Sequence, residues 1–130
     1  MTETMQALLC HRLLERHPRL RIASIENGAS WVSHLLRLVK KSAAMTPGWF
    51  GADPVELFHR HVWVSPFWED DAAGSVEAVG ADRTLFGSDW PHTEGLAEPV
   101  RYRDELDGLP ADTIDRVMGG NALELTAPLP

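Results

Sequence analysis

Three short apolar runs, "RLRIASI" (19–25), "VWVSPFW" (62–68) and "TLFGS" (84–88), are separated by stretches with helical spacing. That alternation constrains the fold more than any other feature. Strands that alternate with helices return through crossovers, which implies a parallel sheet covered by helices. The intervening segments support this. "TMQALLCHRLLERHP" (4–18) places Met5, Leu9 and Leu13 on one face, with Leu8 and Leu14 beside them. It reads as one amphipathic helix ended by Pro18. "ASWVSHLLRLVKKSAAM" (29–45) carries Val32, Leu35, Leu36 and Val39 at helical spacing. "DPVELFHRH" (53–61) opens with Asp53 as N-cap, Pro54 at the first helical position and Glu56 three residues after the cap. "EDDAAGSVEAVG" (69–80) predicts a weak helix with acidic capping residues and Gly80 as its stop. The tail, 110–129, reads as two short helices broken at Gly119 and Gly120, with Asn121 capping the second. The expectation is one α/β domain over residues 1–130, with three parallel β-α units preceded by one helix.

Parallel α/β architectures bind ligands at the carboxyl ends of their strands, and this rule sorts the polar residues. Glu26 and Asn27 follow the first run. Ser65, Trp68, Glu69, Asp70 and Asp71 lie at or after the end of the second. Asp89, His92 and Glu94 follow the third. Asp89 reads as a metal-ligating carboxylate or general base, or else as an N-cap or loop carboxylate bonded to backbone amides. His92 either orients substrate and the Asp89 region or is a solvated loop histidine. Glu26 is a ligand, base or substrate clamp, or a carboxylate held by amides of its own turn. Glu94 reads as a loop or capping acid before a catalytic one, and Asp70 and Asp71 as a helix-start pair. Trp68 and Trp90, near strand ends, are the tryptophans placed to line a pocket. "HRH" (59–61) has a metal-chelating spacing but precedes its strand, at the wrong end for this site. Cys10 lies in an apolar helix and reads as packing.

Composition removes several classes. A net charge of −7 and only two lysines, Lys40 and Lys41, argue against nucleic-acid binding. No apolar run approaches the ~20 residues of a membrane span, and the N-terminus lacks signal-peptide character. A single cysteine excludes an internal disulfide and a cysteine zinc cluster. Together these predict a cytoplasmic protein.

"LRIASIENGASWV", "LFGSDWPHTEG" and "VMGGNALEL" resemble the C-terminal part of the amidohydrolase-related family of metal-dependent hydrolases and decarboxylases, the group that includes aminocarboxymuconate-semialdehyde decarboxylase. The resemblance runs over nearly the whole chain and is most specific in "LFGSDWPHTEG". It implies a (β/α)8 barrel, of which this chain resembles strands six to eight. It implies a divalent metal, often zinc, on the barrel's C-terminal face and a small-molecule substrate that is carboxylated or cyclic. It makes Asp89 the aspartate ending strand eight, in contact with the metal or its activated water, and puts His92 at the site's edge. Two departures stand out. The HxH pair and the strand-five histidine of the family have no counterpart here, and Glu26 stands where many members have histidine. The expectation is therefore a partial barrel: truncated, split from a partner chain or started at an internal Met, and inactive when isolated. The rival expectations are a non-catalytic half-barrel that pairs with another chain or with itself, and an unrelated three-strand α/β binding domain.

Overall fold

The computed structural model describes residues 1–128; the end of the tail read as helical lies outside them. The elements run α1 (Thr2–Cys10), α2 (Leu13–Arg16), β1 (Ile22–Ser24), α3 (Val32–Met45), α4 (Pro54–His61), β2 (Val62–Val64), α5 (Ala72–Val79), a 3-10 helix (Pro99–Leu106), α6 (Ala111–Asp115), a kinked junction (Arg116–Gly120) and α7 (Asn121–Thr126). No helix among the described residues is long and apolar enough to cross a membrane.

β1 and β2 pair in parallel, with Ile22 opposite Val62, Ala23 opposite Trp63 and Ser24 opposite Val64. The expected third strand is reduced to one parallel bridge, Val64 to Thr84. Val64 N–H donates to the Arg83 carbonyl (3.0 Å) and Leu85 N–H donates to the Val64 carbonyl (2.8 Å). The ladder stops there. Gly87 lies so close to Ser65 Oγ and the Pro66 carbonyl that a Cβ would clash with both, and the segment leaves β2 to carry the loop that follows. It is still the sheet's third member, in the order β1, β2, 84.

Alternation along the strands divides the sheet into two faces. Ile22, Val62 and Val64 face the main core, where they meet Leu9, Leu35, Val39 and Phe58. Trp31 stacks edge-on to Phe58 at 6.2 Å in the same layer. A second, smaller core joins Ala72 and Val76 of α5 to Tyr102, Leu106 and Val117. On the other sheet face Ala23 is exposed, while Trp63 is buried beneath the Arg83 guanidinium, 4.3 Å from its ring.

Three further expectations change. The single N-terminal helix is two, because Arg12 adopts a left-handed conformation (φ 59°). The break turns Leu14, and not Leu13, into the core beside Met5 and Leu9. The 3-10 helix was not anticipated, although Tyr102 and Leu106 are spaced to bury one side of a helical segment. Asn121 is no cap. It is fully buried, and its Nδ2 donates to the carbonyls of Ala81 (2.7 Å) and Thr84 (2.8 Å), which pins α7 beneath the third extended segment. The break read at the two glycines is present as a kink at Gly119.

Candidate active-site groove

The segments leaving the three extended runs meet in a groove of about 200 Å³. Ile25 and Glu26 line it from the first, Ser65 and Phe67 from the second, and Asp89, Trp90 and His92 from the third. Glu26, Asp89 and His92 thus come together although 63 and 66 residues separate the first from the other two.

Among the described residues, Glu26 and Asp89 are two of the three non-glycine residues with positive φ, at 57° and 55°. L-residues enter this region at a cost, and it is used where a side chain must be aimed out of a regular path. Asp89 sits where the chain turns out of its extended course, followed by a cis Trp90–Pro91 peptide. His92 N–H donates to the Asp89 carbonyl (2.9 Å) and Leu96 N–H closes the loop on the Ser88 carbonyl (2.8 Å). Gly95 is required at this closure: a Cβ there would lie 2.6 Å from the Asp89 carbonyl carbon and would overlap its oxygen. The turn brings His92 Nδ1 to 3.1 Å from Asp89 Oδ1, with the carboxylate side chain 20% exposed and the imidazole 55%.

Glu94 returns to the same place. Asp89, His92 and Glu94 each offer one ligand atom, and these atoms lie within 4.8 Å of one another. Two carboxylates and an imidazole suit a divalent cation, so the donor set fits the metal implied by the resemblance. Sequence reasoning had set Glu94 aside as a loop acid. The i, i+3, i+5 spacing on one glycine-closed loop was the available signal.

Other candidates resolve differently. Asp71 is the N-cap of α5, accepting from Gly74 N–H (3.0 Å). Asp70 does not share that role: its Oδ2 accepts from Ala29 N–H (2.9 Å) and Phe67 N–H (3.0 Å). The two "HRH" histidines face apart. His59 Nδ1 bonds the Val79 carbonyl (2.9 Å) and His61 Nδ1 the Leu20 carbonyl (2.8 Å). A carbonyl can only accept, so each Nδ1 carries a proton and both rings are in structural use. Trp90 lines the groove with 63% of its surface exposed. Trp68 stands outside the lining, and its indole N–H donates to the Glu94 carbonyl (2.6 Å). Asn27 donates to the carbonyl of Ile25 within its own turn (2.6 Å).

Comparison with known proteins gives the chain a family. The family described as Amidohydrolase matches residues 1–125. The crystal structure of an amidohydrolase from Mycobacterium avium subsp. paratuberculosis K-10 superposes with a TM-score of 0.90 at 44% identity, over 95% of this chain and 32% of that one. A 5-carboxyvanillate decarboxylase from Sphingomonas paucimobilis gives 0.66 at 22% identity, over 92% of this chain and 37% of that one. A dihydroxybenzoic acid decarboxylase from Polaromonas sp. JS666, solved with bound manganese and the inhibitor 2-nitroresorcinol, gives 0.72 at 19%, over 95% of this chain and 39% of that one. The two decarboxylases share the fold. The chain spans about a third of the length of these structures. Matched along residues 1–125 by the family as a whole, the chain belongs to the amidohydrolase family.

Proposed function

We propose that this chain supplies strands six to eight of a metal-dependent amidohydrolase barrel that hydrolyses, or decarboxylates without oxidation, a small carboxylated or cyclic substrate. The observation that carries the reading is the Asp89–His92 contact, 3.1 Å, in a groove shared with Glu26 at the carboxyl ends of parallel extended segments. Asp89, His92 and Glu94 are the residues that would hold a divalent cation; zinc is the ion that the family resemblance implies, and one solved relative holds manganese. When bound, such an ion polarises substrate and lowers the pKa of a coordinated water. The chain's own residues have separable tasks. His92 orients the Asp89 carboxylate through Nδ1. Asp89 accepts a proton or a positive centre at a strand end. Glu26, from the opposite wall, binds or deprotonates substrate. Phe67 and Trp90 limit water at the mouth.

The test restores the first five strands from a related enzyme and compares Asp89→Asn with the parent. Loss of turnover by about 10²-fold or more is expected, with a melting change equivalent to no more than ~1 kcal/mol. His92→Ala should be milder, because its ring is half-exposed at the rim. The 130-residue chain alone should show no turnover. Near-normal activity of Asp89→Asn, or its failure by unfolding, makes Asp89 a structural cap and ends this reading. A second reading, an assembly module without catalysis, is favoured by the exposed Ile25 and Phe67 beyond the sheet.

A further inference from the structure

The loop between β2 and α5 contacts both of the loops that carry the candidate site residues. On one side, Asp70 Oδ2 accepts from Ala29 N–H at 2.9 Å and from Phe67 N–H at 3.0 Å. Gly28 is folded against the same point: its φ is +60°, and a Cβ there would lie 2.8 Å from Phe67 Cδ2 and 3.1 Å from Asp70 Oδ2. The turn that aims Glu26 is therefore closed onto Phe67 by one carboxylate oxygen and has no space for a side chain at Gly28. On the other side, Trp68 Nε1 donates to the Glu94 carbonyl at 2.6 Å, within the loop that Leu96 N–H closes on Ser88. The two contacts come from residues two apart and reach different loops.

We infer that Trp68 and Asp70 are positioning residues, and that the β2–α5 loop sets the separation of Glu26 from the Asp89–His92–Glu94 loop by holding each through one side chain. The inference rests on reading those loops as the site. Neither residue is among those that line the groove. Asp70 acts through the Ala29 and Phe67 amides, and Trp68 through the Glu94 carbonyl. A carboxylate accepting two amides is a stronger tie than a neutral acceptor, and an indole N–H is a donor with one fixed direction. Both suit a role in fixing geometry.

The test uses the full chain and amide hydrogen exchange read by NMR, which reports local opening separately from global unfolding. Asp70→Ala is expected to speed exchange at Ala29 and Phe67 by about tenfold, the scale of one lost hydrogen bond to a charged group, and to shift the Glu26 and Gly28 resonances. Asp70→Asn, which keeps an acceptor oxygen, should recover part of this protection. Trp68→Phe should speed exchange at Gly95 and Leu96 and leave Ala29 unchanged. Amides of α3 and α4 serve as the internal reference. Titration with Mn²⁺ adds a second readout: broadening of the Asp89–Glu94 loop should need more metal in Trp68→Phe and the same amount in Asp70→Ala. If Ala29 and Phe67 change only in step with α3 and α4, or if Asp70→Ala unfolds the chain, Asp70 holds the fold and the inference falls. If the wild-type chain shows no Mn²⁺ broadening, the metal reading fails by itself, and the exchange pattern decides the positioning role.

Discussion

Tyr102 is the one tyrosine of the chain, and it lies 1% exposed in the smaller core with Phe86 edge-on at 5.3 Å. Burial pushes its phenol up to about 12, and the charges of Asp70 and Glu105 push in the same direction. The consequence for stability has a definite sign. The unfolded phenol ionises near its ordinary value of 10.0 and the folded one resists, so the stabilisation is complete below pH 10 and is lost as pH rises towards 12. Ultraviolet absorbance should show a single late phenolate transition, and Asp70→Asn should bring it earlier without reaching the ordinary value, since burial remains. A Tyr102 that titrates near 10 in the folded chain would mean that Asp70 and the small core are not arranged as described. The glycines at the site belong to the same scale. Gly28 and Gly95 are needed because neighbouring atoms occupy the space of a side chain, at Phe67 and at the Asp89 carbonyl. Neither need was visible in "ENG" or "TEG" alone.

At the scale of elements, the break between α1 and α2 is organised by Glu15. Its carboxylate takes the Arg12 guanidinium (2.7 Å to Nη2) and the Gly51 N–H (3.1 Å), which ties the N-terminal pair of helices to the loop before α4. Burial alone would raise its carboxyl, but the Arg12 hydrogen bond and charge, with the Gly51 and Ala52 amides, outweigh it and hold the group below the ordinary 4.5. A lowered folded value contributes stability above 4.5 that is lost as pH falls through the folded value. Glu15→Gln should therefore lower the melting temperature at neutral pH and narrow the gap from wild type in acid. An equal gap at both pH values would show that the pair carries no net stabilisation. The same elements explain what was legible beforehand. α4 was readable to the residue because Asp53, Pro54 and the apolar spacing agree, and the Asp53 side chain does accept from Val55 N–H at 2.8 Å. The N-terminal break was not, because one of the contacts that hold it, Gly51 N–H to Glu15, comes from 36 residues away. The third run was apolar enough for a strand, but a local pattern cannot report that only Val64 stands ready to pair with it. That Glu26, Asp89 and His92 share one groove was legible because the strand-end rule depends on order along the chain, which sequence preserves. Asp70's bond to Ala29, 41 residues away, depends on the fold and left no local sign.

For the molecule as a whole, one face of the sheet packs on the main core, and the other carries the exposed Ala23 beside the buried Trp63. Ile25 (51% exposed), Phe67 (41%) and Trp90 (63%) form an apolar margin around the groove, and among the described residues neither outer edge of the three extended segments is paired. Open edges and exposed apolar surface recruit other chains. Light scattering of the 130-residue chain should show self-association that grows with concentration; a monodisperse monomer over a wide range would count against the partial-barrel reading. A different consequence follows from Arg21, just ahead of β1. Its Nη1 donates to the carbonyls of Glu124 (3.1 Å), Leu125 (2.9 Å) and Ala127 (2.7 Å), contacts that span 103 to 106 residues. Such closures have the largest entropic cost and come late in folding. A ribosome makes Arg21 long before the carbonyls it binds, so the full clasp beside the first strand cannot form until residue 127 has been synthesised. During translation β1 waits without that clasp, and a nascent chain halted before α7 would hold its first strand only through β2 and the main core.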